Sequence, residues 1–475
     1  MWICKLCINA YFAGQQKNHS MLLRPLVEKT WCSLHWQNYM ETAKMLYASG
    51  VTQKLAEWGY GYTLEHSEEA AQVVHRIPAL IYADNSALFA RSPGELQRLL
   101  DICSVEMGRL GLHFSSNQVY GYGVGGPHNH QPDRVWNLQG NAVSQINVTK
   151  YLGIRLSAGT DYLTTHERLL RAKAPRTRGR LGQQAFWTYN RYEVTRALWK
   201  MVAVPGLTYA KAVLCLSAGT GEFLERRQRD AGRMALGLPK HVPIETIQGD
   251  IGWSSFTARE AVAKAAFENR LFRLPESNVA HQTLVHTIFT SRATRWTRRT
   301  RSLRQRYRLP TVSLATKASE LDYTAQQKIR TQVQLVETEE WKKTSEEKVS
   351  LDLYRAEKDT IRKELWCDNS RGSGLMAEAH SEALHTHRWT TKFTAGLTTV
   401  CALCGEAEES TDHMVLERPS ISPPAHTMSL PIAPCFRLAS EEAASVDAIK
   451  ATKRRLEFWW RAAGINIPVT RPQLQ

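Results

Sequence analysis

Between residues 76 and 114 the chain reads RIPALIYADNSALFARSPGELQRLLDICSVEMGRLGLHF, and the order of patterns in this stretch restricts the fold more than any other feature. Two short apolar runs, Ile77 to Ala83 and Ala87 to Ala90, flank Asp84-Asn85, which predicts two strands joined by a tight turn. Asp and Asn both tolerate the left-handed conformation that such turns require. Ser92 and Pro93 then start a helix, with Ser92 as N-cap, Pro93 at the first helical position and Glu95 as the acid of a capping box. Leu96, Leu99, Leu100, Cys103 and Met107 fall on one helical face, and Gly111 after Leu110 is a natural stop. The order strand, turn, strand, helix, strand predicts an α+β unit, an antiparallel sheet with a helix packed on one face.

Residues 1–44 show no clear period and receive no assignment. From Met45, MLYASGVTQKLAEWGYGYTL reads as a helix entering a glycine-containing loop and a strand. The loop GYGVGGPHNHQPD at 121–133 separates the hairpin unit from a further strand-and-turn piece, VTKYLGIRLS. Beyond Tyr162, residues 163–275 carry helical periodicity and many basic side chains, which predicts a second, helical domain. Residues 318–366 are highly charged. Within them, ETEEWKKTSEEKVSLDLYRAEKDTIRKEL is most simply a solvated helix stabilised by spaced opposite charges, broken near CDNSRGSG. A Cys/His segment follows, then the Pro-rich SISPPAHTMSLPIAPCF and a last helix around AIKATKRRLEFWWRAAG.

At 475 residues and 43% hydrophobic content the chain can build the cores of two or three domains. Its formal charge of +16 favours polyanionic partners, nucleic acid or acidic lipid. No run approaches the roughly 18 apolar residues of a membrane-spanning helix. The start, MWICKLCINAYFAG, lacks a secretory signal pattern, so the expectation is an intracellular protein, nuclear or cytoplasmic, not secreted and without a membrane partner. The nine cysteines are scattered and odd in number, which favours reduced thiols with a metal site over a disulfide framework.

Two constellations carry chemistry. SRATRWTRRTRSLRQRYRLP holds eight arginines between Arg292 and Arg308, and no acid occurs between Glu276 and Glu320. Guanidinium forks bind phosphate bidentately, which makes Arg292, Arg295, Arg298, Arg299 and Arg301 candidate nucleic-acid contacts, with Trp296 and Tyr307 able to stack on bases. Arg168, Lys173, Arg176, Arg178 and Arg180 join them. The plainer alternative is a solvated basic helix. Cys401-x2-Cys404-x8-His413 has the spacing of a small zinc site, which needs one more ligand. His426, Cys435, His385 and His387 are candidates.

The segment YADNSALFARSPGELQRLLDICSVEMGRLGLHFS resembles the palm of reverse transcriptases from non-LTR (LINE-type) retrotransposons, which carry Tyr-Ala-Asp-Asp on the catalytic hairpin. YLGIRLS is similar to the family's primer-grip hairpin. NRYEVTRALWKMVAVPGLTYAKAVLCLS and ERRQRDAGRMALGLP, with GDIGWSSF, are similar to its thumb and connecting region. CALCGEAEESTDHMVLERP is similar to its C-terminal zinc knuckle. The resemblance spans roughly Met45 to Pro419 and is to arthropod transposon-derived sequences, including those of ticks.

It implies a partial palm over 45–160, a helical thumb over 161–275, a basic then charged connector over 276–379 and a zinc-knuckle-like segment over 380–420, followed by the tail and terminal helix of 421–475. It also implies RNA and DNA as partners and an ancestral two-metal nucleotidyl transfer, with Asp84 as a Mg²⁺ ligand. Asn85 stands where the family has its second carboxylate and offers only a neutral carbonyl oxygen. The family's earlier palm Asp finds no match before Met45, HWQNYMETAK replaces the expected Arg-Gln-Gly-rich segment, and a family Lys is Gln118. In the knuckle, Arg418 stands where the family has its fourth ligand, a Cys. The expectation is a truncated, catalytically silent reverse-transcriptase-like chain, or a non-catalytic nucleic-acid-binding remnant.

Overall fold

The computed structural model describes residues 2–9, 54–55, 57–68, 71–82, 85–109, 113–114, 120–123, 135–158, 161–186, 188, 190–290, 294–313, 316, 321, 323–394, 396–401, 403–417 and 443–462. The chain is mixed α+β and divides into two units, 1–169 with 268–298, and 170–267 with 299–475. No described helix is long and apolar enough to cross a membrane.

The first unit begins with β1 (Trp2–Asn9), β2 (Tyr62–Glu68), β3 (Ala71–Ile77), β4 (Ala79–Tyr82) and β5 (Asn85–Ala90). There follow α1 (Pro93–Arg109), β6 (His113–Phe114), β7 (Tyr120–Gly123), β8 (Val135–Leu138), β9 (Asn141–Ser144), β10 (Val148–Tyr151) and β11 (Ile154–Ser157). One antiparallel sheet runs β4-β5-β1-β6, with β7 also paired to β1; β2-β3, β8-β9 and β10-β11 are separate hairpins.

The unassigned N-terminal segment thus supplies the central strand, since Trp2 to Cys7 face Ala90 to Asn85 in register. β4 and β5 close with Tyr82 opposite Asn85, so the residues between the strands are Ala83 and Asp84 rather than Asp84 and Asn85. In VTKYLGIRLS, Leu152 (φ 45°) and Gly153 (φ 83°) make the turn between β10 and β11.

Helix α1 buries the stripe its periodicity predicts: Leu96, Leu99, Leu100, Cys103 and Met107 pack with Leu88, Ala90, Phe114, Trp136 and Val143. Ser92 Oγ accepts from Glu95 N at 3.2 Å as an N-cap should. The Glu95 carboxylate departs from the simple capping box: it accepts from Arg91 N and from Gly61 N, each at 2.8 Å, and so ties the helix start to the loop before β2. Gly61 sits at φ +119°, and a Cβ there would lie 2.6 Å from Pro78 Cα, so only glycine lets the loop pass this close. Gly111 lies outside the described residues.

The helical part contains α2 (Thr164–Phe186), α3 (Arg191–Leu198), a π-helical turn at Trp199–Ala203, α4 (Val204–Thr208), α5 (Ala218–Leu236), α6 (Ile244–Ile251) and α7 (Phe256–Phe272). It continues with α8 (Val279–Phe289), α9 (Arg295–Arg306), α10 (Tyr323–Glu346), α11 (Asp352–Glu357), α12 (Arg371–His380), α13 (His387–Thr391) and α14 (Ala443–Ala462). Of these, α8 belongs to the first unit, and α2, α7 and α9 cross the division. The second unit's main core joins Tyr192, Trp199, Trp253, Phe256, Met376 and Trp459. Gly372 lets α12 approach α14, because a Cβ there would lie 2.8 Å from Lys453 Cβ.

The charged stretch is not a simple solvated helix. In α10, Ile329, Val333 and Val336 recur at helical spacing and pack against α7 and α9, while Trp341, Leu351 and Tyr354 form a smaller buried cluster. Glu337 is buried and accepts from Ser255 N at 2.6 Å, and Lys358 and Glu364 form a buried ion pair. The long helix already ends at Glu346, well before CDNSRGSG.

Candidate metal centre and nucleic-acid interface

Asp84 and Gln118 lie outside the described residues, as does the side chain of Asn85. The surrounding sheet is nevertheless informative. Its strands read WICKLCIN, ALIY, NSALFA, HF and YGYG, with no Asp or Glu in any of them. Two-metal phosphoryl transfer needs hard, anionic oxygen ligands on both Mg²⁺ ions. Among the described residues, no strand of this sheet supplies a carboxylate.

The arginine run becomes α9, and helical geometry divides its side chains. Arg299 makes a bidentate pair with Glu260 at 2.7 and 3.2 Å, and Arg306 makes one with Glu340 at 2.7 and 3.1 Å. Arg308 lies 2.9 Å from Glu339, and Arg295 lies 3.7 Å from Asp161. Arg304 is buried and donates to the Pro310 and Ala265 carbonyls. Tyr307 is 1% exposed inside the α7-α9-α10 core, which corrects its assignment as a base-stacking residue. Trp296 is half-buried, Arg298 and Arg301 are exposed, and Arg292 lies outside the described residues. The acids that are absent from the local sequence arrive from α7 and α10 and, for Arg295, from Asp161 just before α2.

Helix α2 is different. It carries six basic residues and one acid, Glu167. Leu170, Ala174, Leu181 and Ala185 are buried on one side, whereas Arg168, Lys173, Arg176 and Arg180 are exposed and Arg178 is half-buried. Lys173, Arg176 and Arg180 are neighbours at spacings of three and four, and Arg168 lies about 80° round the helix from Arg176 on the same exposed side. Like charges at this spacing destabilise a helix, by about 0.2–0.5 kcal/mol per adjacent pair. Lys173 Nζ donates to Gly206 O at 2.9 Å. Arg171, missed by the sequence reading, donates to Thr220 Oγ1 at 2.9 Å.

Cys401, Cys404 and His413 come together, their donor atoms all within 4.8 Å of one another. Among the described residues this is the one cluster of three or more His, Cys, Asp or Glu side chains with that geometry. The local backbone explains it. Cys401 N donates to Ala407 O and Gly405 N to Cys401 O, each at 2.8 Å, and Gly405 takes φ +72°, which closes a tight knuckle. His413 enters at the start of a π-helical turn, where its backbone N donates to Ser410 Oγ at 3.1 Å. Its Nε2 lies 3.4 Å from Cys404 Sγ.

Backbone N–H groups of Glu406 and Ala407 directed at Cys404, together with His413, hold that thiol below its ordinary value, down to about 7. Cys401 is fully buried, and with Met414 and Val415 it belongs to the main core of the second unit. Two thiolates and an imidazole suit Zn²⁺ and not Mg²⁺. A bound zinc would be held by these three side chains and supply a cross-link between knuckle and helical turn.

Of the proposed fourth ligands, neither His385 nor His387 joins the cluster. His387 Nδ1 lies 2.7 Å from Val400 O, and His385 packs against His241 and Trp389, whose rings also touch each other at 5.1 Å. Arg418, His426 and Cys435 lie outside the described residues. No protein-family model matches the chain, and no curated protein matches it significantly.

Proposed function

We propose that the chain is a reverse-transcriptase-like protein of the non-LTR retrotransposon type that binds RNA and DNA and does not itself extend a primer. The observation that carries the binding is the exposed basic face of α2, with Arg168, Lys173, Arg176 and Arg180 on it and the neighbouring Lys173, Arg176 and Arg180 kept at some cost to helix stability. The silent polymerase rests on Asn85, which offers a neutral carbonyl where the family has its second carboxylate, and on the described strands β1, β4, β5, β6 and β7, none of which carries an Asp or Glu to hold a second Mg²⁺. The zinc knuckle has a structural role, fastening the Cys2His segment to the second unit.

Phosphate contacts release counterions, so affinity should fall steeply with salt, the slope changing by about one for each phosphate-binding cation removed. Replacing Arg168, Lys173, Arg176 and Arg180 together by Gln is expected to reduce the slope by about three to four and to weaken RNA and DNA equally. Arg299→Gln should lower thermal stability with little effect on that slope, because its partner is Glu260. Fluorescence anisotropy against salt concentration measures both. An unchanged slope in the fourfold variant removes the binding surface, and template-directed extension by the purified chain with Mg²⁺ or Mn²⁺ removes the silent reading.

A further inference from the structure

Between α5 and α6 lies a cavity of about 130 Å³, lined on a third side by the segment that leads into α7. Its walls are largely apolar: Ile247, Ile251 and Trp253 are buried, and the exposed Ile244 marks the mouth. These walls are braced. Gly232 lets α6 approach α5, because a Cβ there would lie 2.7 Å from Ile247 Cγ2, and the Trp253 ring stacks on Trp199 at 5.7 Å between centroids. An apolar cavity of about 150 Å³ holds one benzene ring, so this space suits a single six-membered ring better than a purine.

The polar groups on the lining fall into two sets. Gln228 is already engaged: its Oε1 accepts from Trp199 Nε1 at 3.2 Å and from Arg259 Nη1 at 2.7 Å, and its Nε2 donates to Ser254 O at 3.1 Å. The Arg229 guanidinium is opposed by Glu222 at 2.6 Å, so selection here falls on a neutral ring and not on a phosphate. The second set has capacity to spare. Among the described residues, the buried Trp253 Nε1 and the half-buried Gln248 amide have no hydrogen-bond partner. Glu225 Oε1 accepts from Thr257 N at 3.2 Å, and a carboxylate has about four acceptor sites. A buried N–H without a partner is destabilising, and a ligand in the cavity relieves it.

We propose that this cavity binds one unpaired pyrimidine base, cytosine in preference to uracil, with Glu225 accepting from the cytosine amino group and Trp253 Nε1 and the Gln248 amide donating to its O2 and N3. A carboxylate is the natural partner of that amino group. Uracil offers only its ring N3–H, flanked by two carbonyl oxygens that a carboxylate repels. The inference rests on the nucleic-acid reading above, which supplies the base from an unpaired position of a bound strand, and adds a base preference that phosphate contacts on α2 do not provide.

The test titrates cytidine and uridine, which carry no phosphate, into the full chain. Burial pushes the Glu225 carboxyl up, so the measurement is made at about pH 8 to hold it ionised. Saturation-transfer NMR is expected to give a cytidine Kd of about 1 mM or tighter, at least about fivefold tighter than uridine. Hydrogen exchange should slow in the peptides spanning 225–229 and 244–255. Glu225→Gln keeps an oxygen for Thr257 N and is expected to abolish the preference for cytidine. Ile244→Trp, at an exposed position, is expected to block the mouth and lose both nucleosides with a wild-type thermal melt.

Equal affinity for the two nucleosides, binding of neither, or protection confined to other peptides overturns the base site. So does wild-type cytidine affinity in Ile244→Trp. If RNA and DNA still bind with their full salt slope, the α2 surface stands without it. The fourfold α2 variant is expected to bind cytidine like wild type, and a chain that binds cytidine but no strand overturns the nucleic-acid reading and leaves the cavity a site for the free nucleoside.

Discussion

Replacing Glu378 by Gln is expected to stabilise the protein by about 3 kcal/mol at pH 8 relative to pH 4. Glu378 lies in α12 with only 1% of its surface exposed, and burial pushes its carboxyl up to about 7, with Arg371 at 3.7 Å opposing that rise only partly. The unfolded chain releases this proton near the ordinary value of 4.5, so between 4.5 and about 7 the folded state holds a proton that the unfolded state has lost. Stability attributable to the group is therefore fully present below 4.5 and is lost as pH rises toward 7. Gln has nothing to ionise, so its advantage over wild type should appear across that window and level off above it. Urea unfolding of both proteins at about pH 4, 6 and 8 isolates the group, since all other titrations are shared. Parallel stability curves would show that Glu378 is solvated or paired in the folded state.

Removing zinc, or replacing Cys401 by Ser, is expected to destabilise the second unit and not merely to loosen its surface. Cys401 is wholly buried among the residues of the main core, and Met414 O, in the helical turn begun by His413, accepts from Nη2 of the buried Arg455 of α14. A ligand present at about 100 times its dissociation constant stabilises the folded state by about 2.7 kcal/mol, which for a unit of this size raises Tm by roughly 5–10 °C. One equivalent of zinc by elemental analysis, and a melt that falls on chelation and recovers on zinc addition, are the expected results. Because Cys404 is near half-ionised at neutral pH, binding should release fewer than two protons from the thiols at pH 8 and more at pH 6. A melt indifferent to zinc and chelator would leave the cluster without a metal role.

These expectations mark how far the sequence reaches. Helix α1 and its buried face were legible because capping and periodicity are local, and Ser92, Glu95 and the leucines all lie within a few turns of one another. The Cys2His group was legible because the spacing of Cys401, Cys404 and His413 is itself the constraint. Strand β1 was not, because eight residues without a strict alternation acquire meaning only when β5 lies beside them. The arginines of α9 looked unopposed for the same reason: Glu260, Glu339 and Glu340 are distant in sequence and adjacent in space. The cluster of His241 with His385 and Trp389 likewise joins residues more than a hundred apart in sequence.

The placement of β1 at the centre of its sheet also sets a timetable. Its partners in β5 lie about 80 residues downstream, which at roughly 5–20 residues per second of synthesis is a delay of roughly 4–16 s. Throughout that interval β1 lacks its β5 partner, and when β4 and β5 do close, β5 exposes an open edge until β1 docks on it. The hairpin and α1 can form from local contacts, whereas the sheet must wait for its most distant closure. Ribosome-bound chains ending shortly after α1 should therefore be where this protein is most exposed to strand-edge aggregation and most dependent on chaperones.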